Sequence, residues 1–190
     1  MNPKLNREKY STNEAYIFHL YNDLGATNLK VACSFRNNGD VIWSKWILFE
    51  DLMSLDNNEI VWGKMNKKEF LKNISHRTIM DIEIMLDIDE TPNGSSDKKD
   101  IKKYSVKYCK LLKKEGYFFE AYFSGSKSYH ISLLFPEFRN YSKTTVENIK
   151  KKVLERVSAD KIKFHTNCMI ALEGVPHWKT GVLKEVVNIE

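Results

Sequence analysis

The sequence predicts an α+β domain whose second half folds as a β-α-β-β-α-β sheet, and three observations predict it. Ile82, Ile84, Leu86 and Ile88 alternate with Asp81, Glu83, Met85, Asp87 and Asp89, a period of two that belongs to a strand. Ile101, Tyr104, Tyr108, Leu111 and Leu112 recur at helical spacing between a Ser95-Ser96-Asp97 start and a Gly116 stop. Two further strand-like runs, residues 117–123 and 129–135, flank the small-residue turn Ser124-Gly125-Ser126-Lys127-Ser128.

Taken in order, residues 1–78 read as a mixed αβ unit. Segments 29–35 and 41–49 are strand-like, Asn38-Gly39-Asp40 between them reads as a hairpin turn, and 69–74 as a short helix. Residues 79–190 carry the sheet. After its first three strands a second helix is expected near 144–157, with Val146, Ile149, Val153 and Val157 inward, and a fourth strand within 163–172. This order is the split βαβ, or ferredoxin-like, arrangement. Right-handed crossovers place the first and third strands in the middle and the fourth beside the first. Asp87, Asp89, residues 124–130 and the fourth strand are then expected together. The whole chain, 1–190, reads as one domain made of these two units.

Composition supports an ordered domain. Of 190 residues, 42% are hydrophobic and 12% aromatic, enough for a core, which excludes disorder along the whole chain. Thirty Lys and Arg against 25 acids leave a net charge of +5, compatible with a polyanionic partner. Cys33, Cys109 and Cys168 form no CxxC pair, so a reducing, cytoplasmic setting is expected rather than a disulfide framework. A zinc site from His165, Cys168 and His177 lacks the usual paired spacing. No apolar run approaches the roughly twenty residues that span a bilayer, and MNPKLNREKY lacks the apolar stretch of a signal peptide.

Three segments carry chemistry. Asp87 and Asp89 sit two apart on a strand, so their carboxylates point the same way about 7 Å apart, a spacing that favours a hard divalent cation such as Mg²⁺ or Mn²⁺. An ordinary exposed strand with acidic alternation, here with Asp81 and Glu83, gives the same pattern. In Ser124-Gly125-Ser126-Lys127-Ser128-Tyr129-His130, a small-residue turn presents backbone N–H groups, Lys127 adds charge and His130 a hydrogen bond, which suits phosphate; a plain hairpin turn before a half-buried His is the alternative. His177-Trp178-Lys179-Thr180-Gly181 gathers groups that contact phosphate or sugar oxygens, or forms a polar loop. A P-loop, GxGxxG and GxSxG are absent from the sequence. Trp43, Trp46 and Trp62 are candidates for base stacking or for the core.

The order DID, SGSKSYH, HWKTG resembles the archaeo-eukaryotic primase superfamily, over roughly residues 79–183. The resemblance implies an RRM-like catalytic sheet packed with an N-terminal αβ unit, and a template-dependent nucleotidyltransferase that makes or extends primers in DNA replication. It implies that Asp87 and Asp89 bind two catalytic metals, Mg²⁺ or Mn²⁺, in a two-metal mechanism. Ser124, Lys127 and His130 would hold the incoming nucleoside triphosphate, with His130 also catalytic, and His177 and Lys179 would contact phosphates or sugar. Single-stranded DNA template and a helicase or second primase subunit are the implied partners. The chain departs from the pattern at Ser128, where a second glycine is usual, and at His165, which stands where an Asp lies twelve residues before the histidine. Cys168 and Ala171 replace expected arginines. The third metal ligand is therefore open among His165, Glu173 and Asp160, with His165 favoured by spacing. A catalytically inactive relative that binds nucleotide or nucleic acid is the alternative function.

Overall fold

The computed structural model describes residues 4–188. In chain order the elements are α1 (Asn13–Phe18), continued by a π-helical turn (His19–Asp23), β1 (Lys30–Ala32), β2 (Ser34–Asn37), β3 (Asp40–Trp43) and β4 (Ile47–Leu48). There follow α2 (Phe49–Ser54), β5 (Ile60–Trp62), β6 (Met65–Asn66), α3 (Lys67–Lys72), β7 (His76–Thr78) and β8 (Glu83–Ile88). The chain closes with α4 (Lys98–Lys114), β9 (Phe119–Phe123), β10 (Tyr129–Leu134), α5 (Lys143–Arg156), β11 (Met169–Ala171) and β12 (Glu185–Val186). The class is mixed α+β, as expected.

Local chemistry sets the boundaries. Asp97 caps α4 by accepting from the Lys99 and Asp100 N–H groups at 2.8 and 3.4 Å, and Gly116, at φ 80°, lies just beyond the end of the helix. Ser142 caps α5 through Thr145 N–H, and Asn66 with Glu69 forms a capping box on α3. Asn38 and Gly39 both take positive φ, 49° and 93°, the geometry of a two-residue hairpin turn joining β2 to β3. The long strands expected on either side are each broken in two. At the break Cys33 N–H donates to Ser44 Oγ at 2.9 Å and Ser44 N–H returns to the Cys33 carbonyl at 3.0 Å.

Two four-stranded antiparallel sheets result, ordered β12-β9-β10-β8 and β11-β7-β1-β4. The first three strands of the expected sheet pair as anticipated: β8 and β9 flank β10, with His130 opposite Asp87 and Tyr122. The fourth strand does not. The segment expected beside β8 is β11, and it pairs with β7 of the other sheet, Ile170 opposite Arg77. The reason is local. After α5 the chain touches β8 where Asp160 N–H donates to the Asp87 carbonyl at 2.9 Å. The Asp160 side chain then caps a 3₁₀ turn, Lys161–Phe164, which turns the chain away before it can run along β8. β12 instead extends the sheet at β9.

The alternation along β8 sorts its side chains. Ile84, Leu86 and Ile88 join Ile131, Leu133, Ile101, Leu112, Val146 and Leu154 in the core beneath α4 and α5, each aliphatic chain contributing about 1.5–3 kcal/mol by burial. The acidic face is buried at Glu83 and Met85 and opens to solvent toward Asp89. Met85 packs on Ile79 and Ile170, and Glu83 is fully buried. Glu83 takes a bidentate contact from Arg77 of β7 at 2.7 and 2.9 Å and a hydrogen bond from Ser132 at 2.6 Å. Arg77 also donates to Glu173 at 3.0 and 3.1 Å, and Glu173 accepts from Tyr16 at 3.1 Å and Lys184 at 3.0 Å. Two buried cations and two buried anions thus tie both sheets to α1, which satisfies charges that would be costly alone.

Candidate active site

At the C-terminal end of β8 the structure gathers most of the residues singled out in the sequence. Asp87 faces His130 across the β8–β10 ladder, Oδ1 to Nε2 at 3.5 Å. Its other oxygen lies 3.6 Å from Lys163 Nζ, which also reaches Asp160 at 3.9 Å. Asp89, at the strand's end, is met by Lys127, whose Nζ donates to the Asp89 carbonyl at 3.2 Å and stands 3.8 Å from its carboxylate. Asp87 Oδ1 and His130 Nδ1 are buried and lack a hydrogen-bond partner, two of three such side-chain atoms among the described residues. Orphaned buried polar atoms of this kind call for a partner the protein does not supply, such as water or an ion.

His130 is kept neutral. Burial, followed by the charges of Lys184 and Lys163, pushes it well below the ordinary imidazole range, with Glu173 opposing. A neutral ring presents one N–H and one lone pair without adding charge.

The two loops meet. In the turn 124–128, Ser124 N–H donates to the Ser128 carbonyl at 2.9 Å, and the buried Ser124 hydroxyl accepts from Ser126 N–H at 3.3 Å, so Ser124 shapes the turn. Gly125 has φ 86°, and a Cβ there would run into the Val182 carbonyl oxygen and stand 2.7 Å from His177 Cβ. Only glycine allows this approach. Thr180 then donates its hydroxyl to the Gly125 carbonyl. The second loop is closed by His177 N–H to Val182 O at 2.7 Å and Gly181 N–H to His177 O at 2.8 Å, with His177 Nδ1 accepting from Lys179 N–H. Lys179 Nζ lies 4.8 Å above the Trp178 ring. Arg36 of β2 fastens the loop by donating to the Trp178 and Lys179 carbonyls.

The three candidates for a third ligand fall in different places. His165 leans toward Glu147 of α5, 3.7 Å away, with half its side chain exposed. Glu173 has both oxygens occupied by Arg77, Lys184 and Tyr16, and against the effect of burial the charges of Arg77 and Lys184 hold its carboxyl far below the usual range. Asp160 is the carboxylate brought beside Asp87, through its backbone N–H and the shared Lys163. Among the described residues no three His, Cys, Asp or Glu side chains form a metal cage. The donor set nevertheless suits a cation that takes one or two carboxylates and completes its shell from phosphates and water, as Mg²⁺ does.

Sequence reading missed Lys163, Arg36 and the Arg77–Glu83–Glu173–Lys184 cluster. The only sequence signal was charge inside strand-like stretches: Arg77 between His76 and Thr78, and Glu83 at the start of the alternation.

The fold resembles that of a polymerase domain of known structure. The solved structure that establishes this likeness is described as "Polymerase Domain from Mycobacterium tuberculosis Ligase D in complex with DNA"; it aligns with a TM-score of 0.54 and 10% identity over 92% of this chain and 80% of that one. At that identity the likeness is one of fold. No family model matches the chain, and no curated protein matches it.

Proposed function

We propose that this chain is a template-dependent nucleotidyltransferase of the primase–polymerase type, resembling the archaeo-eukaryotic primase superfamily. The observation that carries the reading is the convergence of three separated segments, Asp87–Asp89, residues 124–130 and residues 177–181, at one end of the β8–β10 pair, with a buried carboxylate oxygen left without a partner. The polymerase fold of the Ligase D domain supports the same reading.

In this proposal Asp87 and Asp89 hold Mg²⁺ or Mn²⁺, with Asp160 the nearest further carboxylate. When bound, the metal supplies Lewis-acid stabilisation of the triphosphate and activation of the attacking 3′-hydroxyl. Lys127 holds triphosphate oxygens by charge, and the backbone N–H groups of the 124–128 turn line the approach. His130, neutral and directly across from Asp87, positions a substrate oxygen by hydrogen bonding rather than by charge. His177 and Lys179 hold the sugar or phosphate from the adjoining loop. Partners in the proposal are nucleoside triphosphates, single-stranded DNA template, and a helicase or second primase subunit. The test is primer synthesis and extension on single-stranded DNA with Mg²⁺ and with Mn²⁺; product formed equally by the Asp87→Ala/Asp89→Ala variant rules the assignment out.

One observation favours a second reading, a non-catalytic nucleotide- or nucleic-acid-binding relative: the described residues hold no three-ligand cage, and Glu173 is spent in the buried ion cluster. Nucleotide binding with no product in either metal would select it.

A further inference from the structure

Beside the candidate site stands an aromatic and basic surface whose tryptophans the chemistry above does not use. Trp43, at the end of β3, is 41% exposed, and Trp46, three residues on, is 48% exposed. Large apolar rings at that exposure are costly to leave in water and mark a binding face when clustered. Trp43 stands in such a cluster, with charge beside it. Trp43 meets Trp178 edge-on, ring centroids 6.0 Å apart, and Trp178 carries the Lys179 ammonium over its face. Lys45 lies exposed between Trp43 and Trp46, and Arg36 shares a face of the β2–β3 hairpin with Trp43. Trp62, the third sequence candidate for stacking, is instead stacked on Phe35 at 5.7 Å on the opposite face of the hairpin. A cleft of about 440 Å³ opens between the hairpin and the 177–181 loop, lined by Ser34, Arg36, Val41, Ser75, His177 and Trp178.

We propose that the β2–β3 hairpin, the following Lys45-Trp46 and the 177–181 loop form a stacking track for single-stranded nucleic acid. Trp43 and Trp46 take unpaired bases on their rings, and Lys45 holds a backbone phosphate. The chemistry selects the ligand: every base has a π-face for an exposed indole, duplex DNA hides those faces, and neighbouring cations match a polyanion. The track leads to the candidate site through one loop, since His177 and Trp178 line the cleft while Thr180 of the same loop bonds Gly125 in the phosphate turn. As a template path the surface rests on the nucleotidyltransferase reading; as a single-strand binding surface it stands apart from it.

The test is a titration of intrinsic tryptophan fluorescence in the full chain, without metal, using an oligothymidylate and a duplex of equal length. Quenching by the single strand, and weaker binding of the duplex, is expected. Trp43→Ala and Trp46→Ala should each weaken single-strand binding about 5- to 150-fold, the range for one stacked base. Trp46→Phe should keep most of the affinity, which separates stacking from a folding defect. Lys45→Ala should flatten the dependence of log affinity on log salt by about 0.7, one phosphate contact. Unchanged affinity in both alanine variants, or duplex binding as tight as single-strand binding with no quenching, overturns the proposal. So does the absence of oligonucleotide binding, which would leave the exposed rings to a protein partner. The Asp87→Ala/Asp89→Ala variant separates the two readings: it should bind the oligonucleotide like the parent chain, so a catalytic assignment that fails with binding intact leaves the track standing.

Discussion

Replacing Glu173 with alanine probes the element that holds the two sheets together. Its carboxylate has no exposed surface and accepts four hydrogen bonds, two from Arg77 at 3.0 and 3.1 Å, one from Tyr16 at 3.1 Å and one from Lys184 at 3.0 Å. The cluster of Arg77, Lys184, Glu83 and Glu173 is neutral. Removing Glu173 leaves one uncompensated buried cation: Arg77 keeps Glu83, while Lys184 keeps the Ala171 carbonyl at 2.8 Å and the face of the Tyr122 ring. Breaking a buried pair in this way costs about 3–5 kcal/mol, a large part of the roughly 5–15 kcal/mol typical of a whole domain. The assay is urea unfolding at neutral pH, comparing the parent, Glu173→Ala, and Glu173→Leu with Lys184→Met. The single variant should lose stability on that scale and the apolar pair should recover much of it, because the orphaned charge is gone. The carboxyl is depressed by Arg77 and Lys184, so its contribution is present above the unfolded value near about 4.3 and is lost as pH falls through the folded value. A Glu173→Ala loss under about 1 kcal/mol would refute the claim that this cluster is tightly satisfied.

Other outcomes follow from the site. Lys127→Ala and His130→Ala should each weaken triphosphate binding more than monophosphate binding, by about 1.5–3 kcal/mol for every charge-assisted hydrogen bond removed; equal weakening for both ligands in a calorimetric titration would place these side chains away from the outer phosphates. In Mn²⁺ titrations Asp160→Asn should lower affinity while His165→Ala and Glu173→Gln should not, and an effect of His165→Ala alone would restore the spacing-based choice. Gly125→Ala should separate the 124–128 and 177–182 loops, seen as a loss of triphosphate affinity with little change in the urea midpoint. His76 is pushed down to about 4 by burial, then by Lys184 and His177. The unfolded chain therefore binds a proton below about pH 6.5 that the folded chain refuses, and stability should fall between about pH 6.5 and 4 by up to about 3 kcal/mol, with His130 acting in the same direction. His76→Gln should flatten that slope in unfolding curves.

Much of the fold was legible because period and caps speak locally. The β8 alternation, the Asp97 cap and the Asn38-Gly39 turn each specify their own element. What failed was the partner of the fourth strand, which depends on how far the chain travels after α5. The short 3₁₀ turn Lys161–Phe164 decides that, and no periodicity announces it. The burial of Glu83 has a related cause: only the arrival of Arg77 from β7 makes it tolerable, and nothing in the alternation announces that arrival. Among the site residues, Asp87, His130 and Lys127 were marked by motif, whereas Lys163 and Arg36 act through loop and hairpin positions that a single sequence leaves undistinguished from surface charge.

The buried charges also explain how a small domain keeps remote segments in register. Glu83 and Asp87 lie on the same face of β8, four residues apart, so the contacts that lock Glu83 to Arg77 and Ser132 fix the strand from which Asp87 projects. Lys184 lies three residues beyond Gly181, and its N–H to Val175 O at 2.9 Å and Nζ to Glu173 anchor the arm that carries residues 177–181. One cluster therefore holds both the carboxylate strand and the loop opposite it. Apolar side chains of similar volume would stabilise the sheets as well or better, but they lack direction. Hydrogen-bonded charges accept one geometry, and a misplacement of about 1 Å at a reacting centre can cost about 10²-fold in rate. Placing the buried polar cluster a few residues from each motif puts its directionality where the proposed chemistry needs it.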